Sequence, residues 1–219
     1  MRESFYPKRR NGASLQEDSI FPCFEPPFEL IDTPLNFERG IMQKTILFSL
    51  GIVGRLLPHL FNATPTEAVG ILSGAKLEGK WKWGVPFLSL LISDIVLNTF
   101  YGFSAWFYLV PFIYGSYAIT IFLGKFVRGN KKWGKLFSVT LISSVQFFLI
   151  TNVGVWLVTP AYAKTLAGFA NCFWMALPFF RNSLLGTFAW TAGLYFILNK
   201  LEVFATVSEK NKLGSPYGR

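Results

Sequence analysis

Between residues 41 and 205 the chain is a series of apolar runs separated by short loops rich in lysine and arginine. About 20 apolar residues in a helix cross the hydrocarbon core of a bilayer. In lipid, every backbone polar group must be paired within the segment, which a helix does by itself. The pattern therefore predicts an all-α membrane protein. Composition agrees: 52% of the 219 residues are hydrophobic and 15% charged, where a soluble domain carries about 25% charged residues.

Residues 1–40 are different in kind. They hold seven acids, five Lys/Arg and the prolines Pro7, Pro22, Pro26, Pro27 and Pro34. No apolar stretch lies near Met1, so a secretory signal peptide is not expected. The segment reads as an irregular, hydrophilic, Pro-rich cytoplasmic tail, with 41–204 as the transmembrane domain and 205–219 as a short cytoplasmic end. Cys23 and Cys172 form no CxxC pattern, which gives no basis for a zinc site or a disulfide framework. The net charge of +9 sits in loops beside apolar runs, and no nucleic-acid-binding motif accompanies it.

About six spans are expected: 41–60, 64–77, 84–102, 104–125, 135–158 and 183–203. The second is short and rich in small residues. Thr64 reads as its N-cap, Pro65 as its first turn and Glu67 as the capping-box partner. The stretch 166–204 is too long for one crossing. Pro178 and the pair Arg181-Asn182 suggest a break between a shorter helix over 166–180 and the last span. Were 166–180 to cross fully, there would be seven spans and an external C-terminus.

One set of loops carries Lys76, Lys80 and Lys82, then Lys125, Arg128, Lys131, Lys132 and Lys135, then Lys200, Lys210 and Lys212. The opposite set, 60–64, 102–104 and 159–165, carries Lys164 alone. An excess of Lys/Arg marks the cytoplasmic side, so both termini are expected inside. The context suits a bacterial inner membrane.

Ionisable groups inside a membrane are costly and face a partner or a cavity. Arg55, His59 and Asn62 recur at i, i+4, i+7 at the outer end of the first span, and Glu67 follows just beyond the loop. Asn152 and Trp156 are i, i+4 near the outer end of the fifth span. Arg181 and Asn182 follow the expected break, and Asp94 lies within the third span. Their convergence at one depth suggests a pocket lidded by the 60–64 and 159–165 loops. Bland roles stay open beside it. Arg55 also fits snorkelling to headgroups, and His59 a hydrogen-bonded helix interface. Glu67 also fits a cap, Asn152 a polar contact between helices, and Arg181 with Asn182 the pairing of backbone freed at a break. Asp94, deep in an apolar run, requires a partner, for which an arginine is the natural choice. With one histidine, no adjacent nucleophile, no HExxH and no Gly-rich phosphate loop, neither an enzyme nor a cofactor is expected.

Arg55-Leu56-Leu57-Pro58-His59, Asn62-Ala63-Thr64-Pro65, Ser93-Asp94, Asn152-Val153-Gly154-Val155-Trp156 and Pro178-Phe179-Phe180-Arg181-Asn182 resemble an uncharacterised family of small bacterial membrane proteins. That family is similar in turn to the substrate-binding S components of energy-coupling-factor (ECF) transporters. The resemblance covers roughly 45–200. It implies a six-helix S-component-like bundle that binds a small nutrient at its outer side. It also implies a transmembrane coupling subunit with two ATPases. Such docking often uses Ala-xxx-Ala on the first span, where this chain has Gly51-Ile52-Val53-Gly54. The nearest small-xxx-small pair is Gly70/Gly74.

The expectation is a membrane-embedded subunit that binds a small polar or anionic solute for uptake. Arg55 and Arg181 would serve as anion clamps, His59, Asn152 and Asn182 as hydrogen-bonding groups and Trp156 as a stacking wall. The alternative is a non-transporting scaffold or accessory subunit of a larger membrane complex, docked through residues 1–40. The Lys/Arg asymmetry makes a direct prediction. Single cysteines at 61, 103 and 161 label from outside intact cells and those at 79 and 130 do not; external labelling at 130 would invert the topology.

Overall fold

The computed structural model describes residues 34–57, 63–102, 106–129 and 132–213, and these form six α-helices. In order they are α1 (Pro34–Leu56), α2 (Thr66–Lys76), α3 (Trp81–Tyr101), α4 (Trp106–Gly124), α5 (Trp133–Val158) and α6 (Leu166–Leu213). A single 3-10 turn, Lys125–Val127, extends α4. Three segments, Trp81–Phe100, Phe107–Val127 and Trp133–Val158, are long and apolar enough to cross a membrane. Large apolar side chains such as Phe100, Phe107, Trp174 and Phe204 stand exposed on the outside of the helices. In water each would forgo about 1.5–3 kcal/mol of burial; against lipid tails that loss vanishes.

Helix α2 is the centre of the arrangement. Its 11 residues rise only about 16 Å, roughly half of the ~30 Å hydrocarbon core. Every residue from Glu67 to Ala75 is buried, and α2 packs against α1, α3, α4, α5 and α6. Its small residues explain how so many neighbours fit. A Cβ on Gly74 would collide with the Ile121 carbonyl of α4, and one on Gly124 with the Ile71 carbonyl of α2. At Gly70 a Cβ would lie 2.7 Å from the Tyr117 ring. The two backbones therefore touch, as small-xxx-small contacts allow. On α1, Gly51 faces Ser89 of α3, and Gly54 faces Pro65 at the start of α2. Both small-residue pairs are consumed inside the bundle. Leu47, Val69, Ile71, Leu72, Leu136, Leu194 and Leu198 fill the core around them.

Polar ladders hold the remaining seams. Between α4 and α5, Gln146 Nε2 donates to the Ser116 carbonyl at 3.1 Å and to Thr120 Oγ1 at 2.9 Å, and Ser143 donates to Thr120 at 2.9 Å. At the end of the bundle away from Glu67, Lys76 Nζ pairs with Glu202 Oε1 at 2.9 Å and donates to Asn199 at 2.5 Å, while Gln43 donates to Glu202 at 3.0 Å. That cluster ties α1, α2 and α6 together.

Three local expectations are corrected. Helix α1 begins at Pro34, inside the segment read as an irregular tail, because Pro with its fixed φ suits a helix's first turn. The capping box is not formed. Pro65 is the N-cap of α2 with no side-chain cap bond, Thr64 donates to Thr66 at 3.1 Å, and Glu67 turns inward. The break at 178–182 is absent, and α6 is one helix of 48 residues with Pro178 inside it. Proline removes a single backbone donor. In surroundings without water, a helix retains its other bonds rather than expose several groups in a loop.

The glycine contacts generate opposite expectations for one substitution. Gly74→Ala should lower the melting temperature in detergent, at a cost of about 1–3 kcal/mol from overpacking. Gly115→Ala, in the same bundle but with nothing within 4 Å of its added Cβ, should be neutral or raise stability by up to ~1 kcal/mol. Equal melting temperatures for the two variants would contradict the backbone contact.

Candidate functional site

Arg55 stands in the last turn of α1, where a cation is favoured by the helix's negative end. Its guanidinium forms an ion pair with Asp94 of α3 and donates from Nη1 to Ser93 Oγ at 3.1 Å. Asp94 is 2% exposed and takes a second hydrogen bond from the Tyr114 hydroxyl of α4 at 3.0 Å. Three helices thus meet on one carboxylate. Asp94 is the member that needs partners most, being out of reach of water, and it has all of them.

Beside this pair lies a cavity of about 380 Å³, within the usual size of small-molecule sites. Arg55, Glu67, Tyr117 and Asn152 line it, with Thr64 and Thr66 at the mouth of α2. Helix α5 contributes Ser144, Phe147, Phe148, Thr151 and Asn152, one stripe at i, i+3, i+4, i+7, i+8. Helix α6 contributes Ala176, Phe179, Phe180 and Ser183, again i, i+3, i+4, i+7. Glu67, 5% exposed, accepts a hydrogen bond from Ser144 at 2.7 Å, and Ser183 is within hydrogen-bonding reach of the same carboxylate. Asn152 Nδ2 donates back to the Phe148 carbonyl at 2.7 Å, which leaves its amide oxygen as an acceptor.

Arg55, Glu67 and Asn152 are thus brought together, with Asp94 directly behind Arg55. Three other expected members are not there. Arg181 is exposed and absent from the lining, and Asn182 is also absent. The continuous helix explains both. At about 100° per residue, Arg181 points nearly opposite to the stripe centred on Phe180 and Ser183. The paired-arginine clamp is therefore not formed. Trp156 lies beyond the cavity, its indole N–H donating to the Ala163 carbonyl at 3.0 Å and its ring edge-on to Phe169. Lys164 donates to the Thr159 carbonyl at 2.7 Å, so the 159–165 loop is braced on α5 and none of it lines the cavity. His59 and Asn62 lie outside the described residues.

Sequence reading missed Tyr114, Tyr117, Ser144 and the phenylalanines. The α5 stripe was the available signal: a serine and a threonine at helical spacing among phenylalanines, in phase with Asn152. Among the described residues no three His, Cys, Asp or Glu side chains come together as a metal site. The arrangement suits non-covalent recognition: a carboxylate, hydroxyls and an amide interspersed with aromatic faces.

The Arg55–Asp94 pair carries a testable asymmetry. Removing one partner of a buried pair typically costs about 3–5 kcal/mol, whereas replacing both with apolar residues is often near neutral. Asp94→Ala should therefore lower the melting temperature well below that of the double variant Arg55→Leu, Asp94→Leu. A double variant as unstable as the single one would mean that Tyr114 and Ser93, not the charge pair, set the cost.

Residues 36–207 match the model of a family described as Family of unknown function (DUF6580). No curated protein and no solved structure matches the chain.

Proposed function

The chain belongs to this family of unknown function, and we propose that it is a membrane-embedded binding subunit that holds a small polar solute in the cavity between α2, α4, α5 and α6. The observation that carries the reading is the cavity's lining. Polar groups from residues as remote as Glu67, Asn152 and Ser183 converge on about 380 Å³ of space, amid helices built for lipid. Polar groups at membrane depth are expensive unless they face a cavity or a solute. The six-span topology, the cytoplasmic termini and the likeness to ECF S components belong to the same proposal. A coupling subunit with ATPases rests on that likeness alone, since Gly51/Gly54 and Gly70/Gly74 are packed within the bundle.

Native mass spectrometry of protein extracted from its host membrane tests the reading. The intact chain should carry a bound small molecule, and Asn152→Ala should lose it while keeping the wild-type melting temperature within a few degrees. A stable protein partner retained through residues 1–40, with an empty cavity, would favour the scaffold alternative instead.

A further inference from the structure

Among the described residues, the cavity holds one carboxylate without an ionic partner. Among the described lining residues Arg55 is the one cation, and its charge is met by Asp94. Glu67 has no such counterpart among the described residues. It is 5% exposed, and its described partners are hydroxyl groups. Burial disfavours a lone charge on this carboxylate, and the hydroxyls that donate to it offset only part of that. The α2 N-terminus supplies only about half of an elementary positive charge. A buried carboxylate of this kind calls for a cation from elsewhere.

The rest of the lining indicates which cation. Tyr117, Phe147, Phe148 and Phe180 present aromatic surface to the same space, with the Phe148 and Phe180 rings 4.5 Å apart at their centroids. Aromatic faces attract organic ammonium groups through the ring quadrupole. A hard metal ion is held mainly by carboxylates and other oxygens, and among the described residues no three His, Cys, Asp or Glu side chains come together.

Resting on the binding reading above, we propose that the cavity takes a small organic cation, its ammonium held between Glu67 and the aromatic faces of Tyr117, Phe147, Phe148 and Phe180. Arg55 offers further N–H donors to the polar remainder of such a molecule but, cancelled by Asp94, adds no net charge. The assignment reverses the anion preference expected when two arginines were placed at the site.

Three probes on one skeleton test it: phenethylamine, 2-phenylethanol and 3-phenylpropanoate, titrated calorimetrically into the purified full chain. Phenethylamine should bind about tenfold or more tighter than the other two, as a charge-assisted contact implies. E67Q, which keeps the shape and removes the charge, should abolish that preference. F180L should weaken phenethylamine by about threefold and leave 2-phenylethanol unchanged, so the proposal is decided even if E67Q does not fold. Equal binding of amine and alcohol, or tighter binding of the propanoate, would overturn the cation assignment and leave the binding reading standing. If none of the three binds, the charge of the molecule carried by the native protein decides: a cation supports the proposal, and an anion or neutral solute overturns it. A native protein that carries nothing and binds no probe overturns both readings.

Discussion

The close approach of α2 to α4 is the contact on which the rest of the bundle depends. Gly74 and Gly124 let two backbones meet with no side chain between them. A helix held that tightly on one side can still be surrounded on the others, which is how 11 residues come to contact every other helix. Without a hydrophobic driving force between helices in lipid, such contact, with its dispersion energy and interhelical hydrogen bonds, has to supply the cohesion.

Around that centre, charge is placed at two ends with different consequences. Lys76, Glu202, Asn199 and Gln43 close one end as a mutually satisfied cluster, with cation and carboxylate in equal number. At the other end Arg55, Asp94 and Glu67 leave one carboxylate over. A balanced cluster is a fastening. An unbalanced one, opening on a cavity, is where the proposed cation would bring the missing charge.

Much of the fold was legible in the chain because lipid imposes long apolar runs. Helices α3, α4 and α5 lie within a few residues of the spans expected from hydropathy. Errors fell where a local signal competed with a global one. Thr64, Pro65 and Glu67 spell a capping box, but burial of Glu67 against Ser144, 77 residues away in the chain, outweighed the cap. Pro178 spells a break, but a water-poor setting made the unbroken helix cheaper. That second error moved Arg181 and Asn182 to the wrong face, since an expected loop had concealed their phase relative to Phe180 and Ser183. Asp94 was different: a carboxylate deep in an apolar run announces a need for a partner, though only the fold could say that the arginine is Arg55, with Tyr114 as a second donor. The Lys76–Glu202 cluster had no local signature at all, its members being 126 residues apart.

Helix α2 starts at Thr66, whereas α5 runs on from Ser144, the contact of Glu67, to Val158. The cavity lies at that start, with Thr66 and Glu67 in its lining. One end of the space is thus bounded by the first turn of a central helix only 11 residues long. On the proposed binding reading, a longer or shorter start to α2 would change its capacity in steps of one turn, about 5.4 Å, while the outer helices stay as they are.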